Sequence, residues 1–107
     1  MRKIEAQLTD ALRLGREFKS RNTTITNTDH GQIVRLHGNK IAQVDGSTLY
    51  ITSAGYETAT TKSRLNAILG CLLPSTFVYQ RDFVWYVSIK GDSVEFSELE
   101  GEPIQLC

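Results

Sequence analysis

Seven residues between Tyr56 and Arg64 hold the densest chemistry in the chain: Tyr56, Thr58, Thr60, Thr61, Lys62, Ser63 and Arg64. Hydroxyls and cations packed this closely suit the holding of an oxyanion better than the breaking of a bond. They lead into Leu65, Ile68, Leu69 and Leu72, which repeat at the spacing of one helical face. Thr60 or Thr61 is the natural N-cap of a helix over 60–73, because its oxygen can accept an unpaired N–H of the first turn. Lys62 and Arg64 then fall in that turn and oppose the helix dipole by a few tenths of a kcal/mol each. Free N–H groups, hydroxyls and two cations at one helix start predict a site for a phosphate-bearing ligand, with Tyr56 able to stack on a base.

Enzyme chemistry is thinly represented. His30 and His37 each precede a glycine at a turn, where histidine often sits for conformational reasons. Neither has a nucleophile or metal partner at a telling spacing, although Asp29 stands beside His30. HExxH, CxxC, GxSxG and P-loop strings do not occur, and no carboxylate pair suggests acid–base or metal work. Glu57 suits neutralising a nearby cation as well as proton transfer. The expectation is a non-enzymatic protein with no cofactor and no metal.

The elements that must position these residues form one domain over 1–107, an ordinary size for a single core. Twelve basic and twelve acidic residues cancel, so net charge draws the molecule to neither nucleic acid nor membrane. Charge is nevertheless segregated. Arg2, Lys3, Arg13, Arg16, Lys19 and Arg21 face only Glu5, Asp10 and Glu17 in the first 21 residues, whereas six acids face Lys90 alone after position 81. No apolar run is long enough to span a membrane, and the N-terminus lacks a signal-peptide pattern. Cys71 and Cys107 form no metal-ligand spacing and read as reduced thiols in a cytosolic setting.

Residues 2–19 carry Ile4, Leu8, Ala11, Leu12, Gly15 and Phe18 on one stripe and predict an amphipathic helix, with Gly15 at a close helix crossing. From Arg21 the period drops to two. Strands over 22–29, 32–37, 40–44 and 47–52, joined at His30-Gly31, Gly38-Asn39 and Asp45-Gly46, make an antiparallel meander whose first member is an edge. Pro74 ends the second helix. Further strands follow over 76–81, 83–90 and 93–97, with an Arg81-Asp82 turn and with Phe83 and Trp85 together in the core. The expected fold is α+β: an antiparallel sheet of about seven short strands in the order α–β4–α–β3, two helices on one face. The acidic segment 98–107 is expected to be loose. Tyr50, Val84 and Tyr86 are candidates for an exposed or dimer-buried patch.

The LHGN turn at Leu36–Asn39 with Ile41-Ala42, the lead-in Gly55, Tyr56, Thr58, Thr60, Thr61, and TTKSRLNAIL over Thr60–Leu69 resemble a group of small proteins encoded by tailed bacteriophages. Asn22-Thr23 and QRDFVWYV over Gln80–Val87 suit the same group, in which tryptophan often stands where this chain has Tyr56. The resemblance implies a phage product working in the host bacterial cytoplasm by binding, as a host-directed or anti-defence factor. Three readings of the partner follow. One is a nucleotide or nucleic acid at the second helix start. Another is a host enzyme inhibited through the aromatic strand or the N-terminal helix. The last is a second copy, as a homodimer paired through the edge strand 22–29.

Overall fold

Gly15 decides how the chain begins. In the computed structural model, which describes residues 2–106, the first helix α1 (Lys3–Leu14) stops there. Gly15 adopts φ 67° and returns its N–H to the Leu12 carbonyl, and the Arg16 N–H reaches Ala11. This is a left-handed C-terminal cap, not the interior crossing glycine expected from the stripe. The helix is therefore shorter than 2–19, and Phe18 packs on the core from a strand, β1 (Phe18–Ser20).

Four strands follow as expected: β2 (Thr23–Thr28), β3 (Gly31–Leu36), β4 (Asn39–Asp45) and β5 (Thr48–Ile51), a continuous antiparallel meander. The turns into β3 and β4 lie one residue earlier than predicted, because Gly31 and Asn39 already pair within their strands. Gly31 is required there: a Cβ at its φ of 93° would lie 2.0 Å from the Val44 carbonyl oxygen. β2 is not the free edge that a homodimer through 22–29 requires. β1 pairs with it from Phe18↔Ile25 to Ser20↔Thr23, and Glu17 accepts the Asn27 N–H at 3.0 Å.

The second helix, α2 (Ala59–Leu72), buries Leu65, Ile68 and Leu69 completely. Its cap is Thr58, whose hydroxyl accepts the Thr61 N–H at 3.1 Å, so the helix starts before the predicted Thr60 or Thr61. Beyond Pro74, β6 (Phe77–Arg81), β7 (Val84–Ile89) and β8 (Asp92–Glu95) form a sheet of their own. Asn66 of α2 grips the edge of β6 as a strand would. Its amide oxygen accepts the Val78 N–H at 2.6 Å, and its Nδ2 donates to the Val78 carbonyl at 3.0 Å.

The fold is thus α+β, with nine strands among the described residues, in sheets of six and three rather than about seven in one. The larger sheet runs β1-β2-β3-β4-β5-β9, and α1 and α2 pack on one of its faces. Ile25, Val34, Leu36, Ala42, Leu49 and Ile51 line that face at 4 % exposure or less. Alternation supplies one apolar side and leaves the other wet.

The acidic tail is held, contrary to expectation. Phe96 opens a short helix, α3 (Phe96–Leu99), and is fully buried against Trp85 in an edge-on contact at 5.4 Å. β9 (Ile104–Gln105) then pairs with β5. Between them, one carboxylate oxygen of Glu100 accepts from the Thr52 hydroxyl at 2.6 Å, the Ser53 N–H at 2.8 Å and the Ser53 hydroxyl at 3.1 Å. Burial alone pushes this carboxyl up, but the three donors outweigh it, so it titrates below the ordinary glutamate value.

A folded-state pKa below the unfolded one makes the Glu100 contribution complete above 4.5 and lost as pH falls below that, through the folded value. Glu100→Gln is expected to cost about 1–2 kcal/mol near neutral pH. Urea unfolding of both proteins should show that gap closing at acid pH; a gap that persists there would remove the charge from the explanation.

Candidate functional site

Moving the cap to Thr58 changes what the start of α2 can offer. The Thr61 N–H is taken by the cap and the Lys62 N–H returns to the Thr58 carbonyl, which leaves Ala59 and Thr60 with N–H groups for an outside partner. Lys62 and Arg64 fall beyond those free donors. They also part company. Arg64 is 3 % exposed and turned inward. Its Nη1 donates to Glu5 Oε2 at 2.8 Å, its Nε to the Thr23 hydroxyl at 3.1 Å and its Nη2 to Asn22 at 3.4 Å. Ser63 donates to the same Glu5 oxygen. Lys62 instead lines a shallow groove with Glu5, Ser63 and Asn66. The Arg64 charge is answered inside the protein, and the two cations border different concavities, Lys62 the groove with Asn66 and Arg64 the hollow with Arg21.

Two concavities do meet at Thr60. One, of about 530 Å³, is walled by Tyr56, Thr58, Thr60, Thr61, Ser53, His37 and Asn39 over a floor of Leu36 and Ile41. Tyr56 is 59 % exposed at its mouth. The other, of about 610 Å³, gathers Arg2, Lys3 and Arg21 around Thr60 and the edge of Arg64. The His37 N–H donates to the Asn22 carbonyl at 2.7 Å, so the turn carrying Arg21 abuts the turn carrying His37. Sequence reading missed Arg2, Lys3 and Arg21 as site residues. Their surplus in the first 21 positions was visible, but nothing local said that the β1–β2 turn folds back beside the starts of both helices.

The predicted patch of Tyr50, Val84 and Tyr86 divides between two sheets. Tyr50 is half-buried on the outer face of the larger sheet. Val84 and Tyr86 belong to the outer face of the smaller one, and the register adds Phe77, Tyr79 and Arg81 to them. Tyr79 stacks on Tyr86 with ring centroids 5.5 Å apart, and Phe77 tilts onto Tyr79 at 5.8 Å. Phe77 is 48 % exposed and Val84 38 %. Phe83 is not core: it and Asp82, at φ 67° and 51°, make the hairpin turn that was expected at Arg81-Asp82. The one-residue shift carries its ring out of the strand to 92 % exposure, while Trp85 stays buried as expected.

His30 and His37 border different concavities. Among the described residues neither imidazole lies within ion-pair distance of a carboxylate, and no group of three or more His, Cys, Asp or Glu is placed around a common point. Cys71 is a free thiol on α2; Cys107, expected as a second one, lies outside the described residues. No helix among them is long and apolar enough to cross a membrane.

The chain matches the family model described as Kyanoviridae Gp96 protein over residues 1–103, and it therefore belongs to that family of phage proteins. No curated protein and no solved structure matches it.

Because Glu5 and Arg64 are both buried, removing either one leaves an unanswered charge inside. Arg64→Met is expected to cost about 3–5 kcal/mol in chemical denaturation. The Glu5→Met/Arg64→Met double variant should recover most of it, and a double variant no better than the single would show that the pair is not the source.

Proposed function

We propose that this phage protein acts by binding a host protein through the outer face of its three-stranded sheet. The observation that carries the reading is the row Phe77, Tyr79, Tyr86 and Val84 with Phe83 at its tip, in which Phe77, Val84 and Phe83 are exposed and the two tyrosines half-buried. Each such ring exposed to water forgoes transfer free energy on the order of 1 kcal/mol or more, and contiguous patches of this kind mark interaction sites. Aromatic and arginine side chains are the usual anchors of such interfaces. The rings are already stacked on one another, so docking would cost them little rotamer freedom. Glu95 stands opposite Tyr86 on this face and Asp82 shares the hairpin turn with Phe83, which favours a partner with basic groups at those points. Acting in the host cytoplasm, as a host-directed or anti-defence factor, fits a phage product of this kind.

A phosphate-bearing ligand at the start of α2, a nucleotide or a nucleic acid, is the second reading. What favours it is Thr60, which belongs both to the hollow of Tyr56, His37 and Asn39 and to the cationic one of Arg2, Lys3 and Arg21. A base against Tyr56 would leave its phosphate within reach of Arg21 and Lys3. In this version Lys62, Ser63 and Arg64 support the helix start and do not touch the ligand.

Two measurements separate these readings. Phe77→Asp/Phe83→Asp should change stability by less than about 1 kcal/mol. The same variant should weaken capture of a stoichiometric bacterial partner by about 2 kcal/mol or more; an empty pull-down with the unaltered protein would count against the first reading, and concentration-dependent sedimentation would make the partner a second copy. For the second reading, calorimetry with mononucleotides should give binding that Tyr56→Ala and Lys3→Ala/Arg21→Ala each reduce by at least about tenfold. Absence of heat from every nucleotide would dispose of it.

A further inference from the structure

The outer face of the six-stranded sheet carries a row of cations that neither reading above uses. Register sets Lys19 of β1, Thr24 of β2, Arg35 of β3 and Lys40 of β4 side by side. With strands about 4.8 Å apart, Lys40 is the immediate neighbour of Arg35, and Lys19 lies about 10 Å to its other side. Lys19 and Lys40 are exposed and Arg35 is half-buried. Among the described residues the only ion pairs are Arg13–Asp10 and Arg64–Glu5, so no carboxylate answers this row.

Like charges directly opposite one another in an antiparallel pair work against folding. Here a β-bulge creates the opposition. The register of β3 and β4 shifts between Val34↔Ala42 and Arg35↔Lys40, which leaves Ile41 as the extra residue. Without it, Lys40 would stand opposite Leu36 and point into the core. With it, Ile41 and Ala42 both turn inward at 1 % exposure and Lys40 emerges beside Arg35. Burying Ile41 explains the bulge, but not a second cation at the position it turns outward.

Beside Lys40 the same face sinks into a hollow of about 570 Å³, lined by Tyr50, Gln43, Thr52, His30 and Asp45. Tyr50 stands opposite Gln43 in the register. Gln43 is already held, donating to the His30 carbonyl at 2.7 Å and accepting from Lys40. An aromatic ring thus sits at the end of a line of cations that no carboxylate pairs, with the Gln43 amide and the Thr52 hydroxyl already held by the protein; cations and a ring together are the combination that binds a sugar–phosphate chain and stacks its bases.

We propose that this face binds single-stranded nucleic acid, with backbone phosphates along Lys19, Arg35 and Lys40 and one base in the hollow against Tyr50. A single strand fits better than a duplex, because a paired base cannot turn its face to a ring on a sheet. Asp45 keeps phosphates on the row and out of the hollow.

The test is fluorescence anisotropy of a labelled oligothymidylate of roughly 12 nucleotides, titrated with the full chain between about 50 and 200 mM salt. Each phosphate neutralised on a single strand contributes about 0.7 to the slope of log K against log salt, so the unaltered protein should give a slope near −2. Lys19→Ala/Arg35→Ala/Lys40→Ala should flatten that slope and lower affinity at low salt by at least about tenfold, without melting below the parent. Should it fail to fold, the single variants Lys19→Gln and Lys40→Gln carry the test, each removing about 0.7 from the slope. Tyr50→Ala should weaken binding at an unchanged slope, and Arg13→Ala/Lys90→Ala, which removes cations from other surfaces, should change neither. No binding by the unaltered protein, an equal loss in the Arg13/Lys90 variant, or tighter binding of a duplex of the same length would each overturn the proposal.

Discussion

The buried pair of Arg64 and Glu5 is the contact on which the helical layer depends. One guanidinium reaches α1 through Glu5, β2 through Thr23 and the β1–β2 turn through Asn22, while Ser63 fills a further position on the same carboxylate. Every buried side-chain polar atom among the described residues has a partner, so the network is closed. A closed network of this kind is directional where apolar contact is not. Leu8, Leu12, Leu65, Ile68 and Leu69 would tolerate α1 at several rotations on α2, but Glu5 reaches Arg64 in only one of them. The starts of both helices and the turn carrying Arg21 are thereby held together, and that juxtaposition makes the two concavities at Thr60.

A different device holds the smaller sheet. A three-stranded antiparallel piece has one face to bury and two edges to protect. Val78, Trp85 and Val87 supply the buried face, Asn66 covers the backbone of β6 at Val78, and Phe96 locks onto Trp85 from the far side. The chain then returns, through Glu100 and β9, to the edge of the larger sheet. The acidic tail is therefore a strap between the two sheets. On the other face of the smaller sheet the rings of Phe77, Tyr79 and Tyr86 cover one another only in part.

What could be read from the sequence was what depends on short-range period. The alternation of β2 through β5, the apolar stripe of α2 and its end at Pro74 all follow from side-chain spacing and local sterics, and all are present. The misreadings share one cause: residues whose role is set by a neighbour distant in sequence or by a one-residue choice of turn. Gly15 fits an interior position until β1 is known to leave from it. Phe83 alternates with Trp85 until the hairpin closes at Asp82-Phe83. Ile104 and Glu100 look like tail until the edge of β5 and the donors at Thr52 and Ser53 are beside them. Arg64 was assigned to a ligand because its partner, Glu5, lies 59 positions away in the chain. A buried cation and a binding cation look alike in sequence, and only the position of the nearest carboxylate tells them apart.

The same criterion separates the remaining cations. Arg64 is answered by a buried acid and Arg13 by an exposed one. Arg35 and Lys40 stand against each other with none, in a register that a bulge produces. Six of the twelve acids lie after position 81, on the smaller sheet and along the strap, while Asp45 borders the hollow beside Lys40 without pairing with it. Neutrality is therefore a property of the whole chain and not of either surface. One sheet face carries cations that no carboxylate pairs among the described residues; another carries partly exposed aromatic rings beside Glu95. Pairing those charges within the molecule would have removed an unfavourable contact such as Arg35 against Lys40. Both proposals, a host protein on one face and a nucleic-acid strand on the other, rest on that separation, because a uniformly mixed surface could not distinguish two such partners.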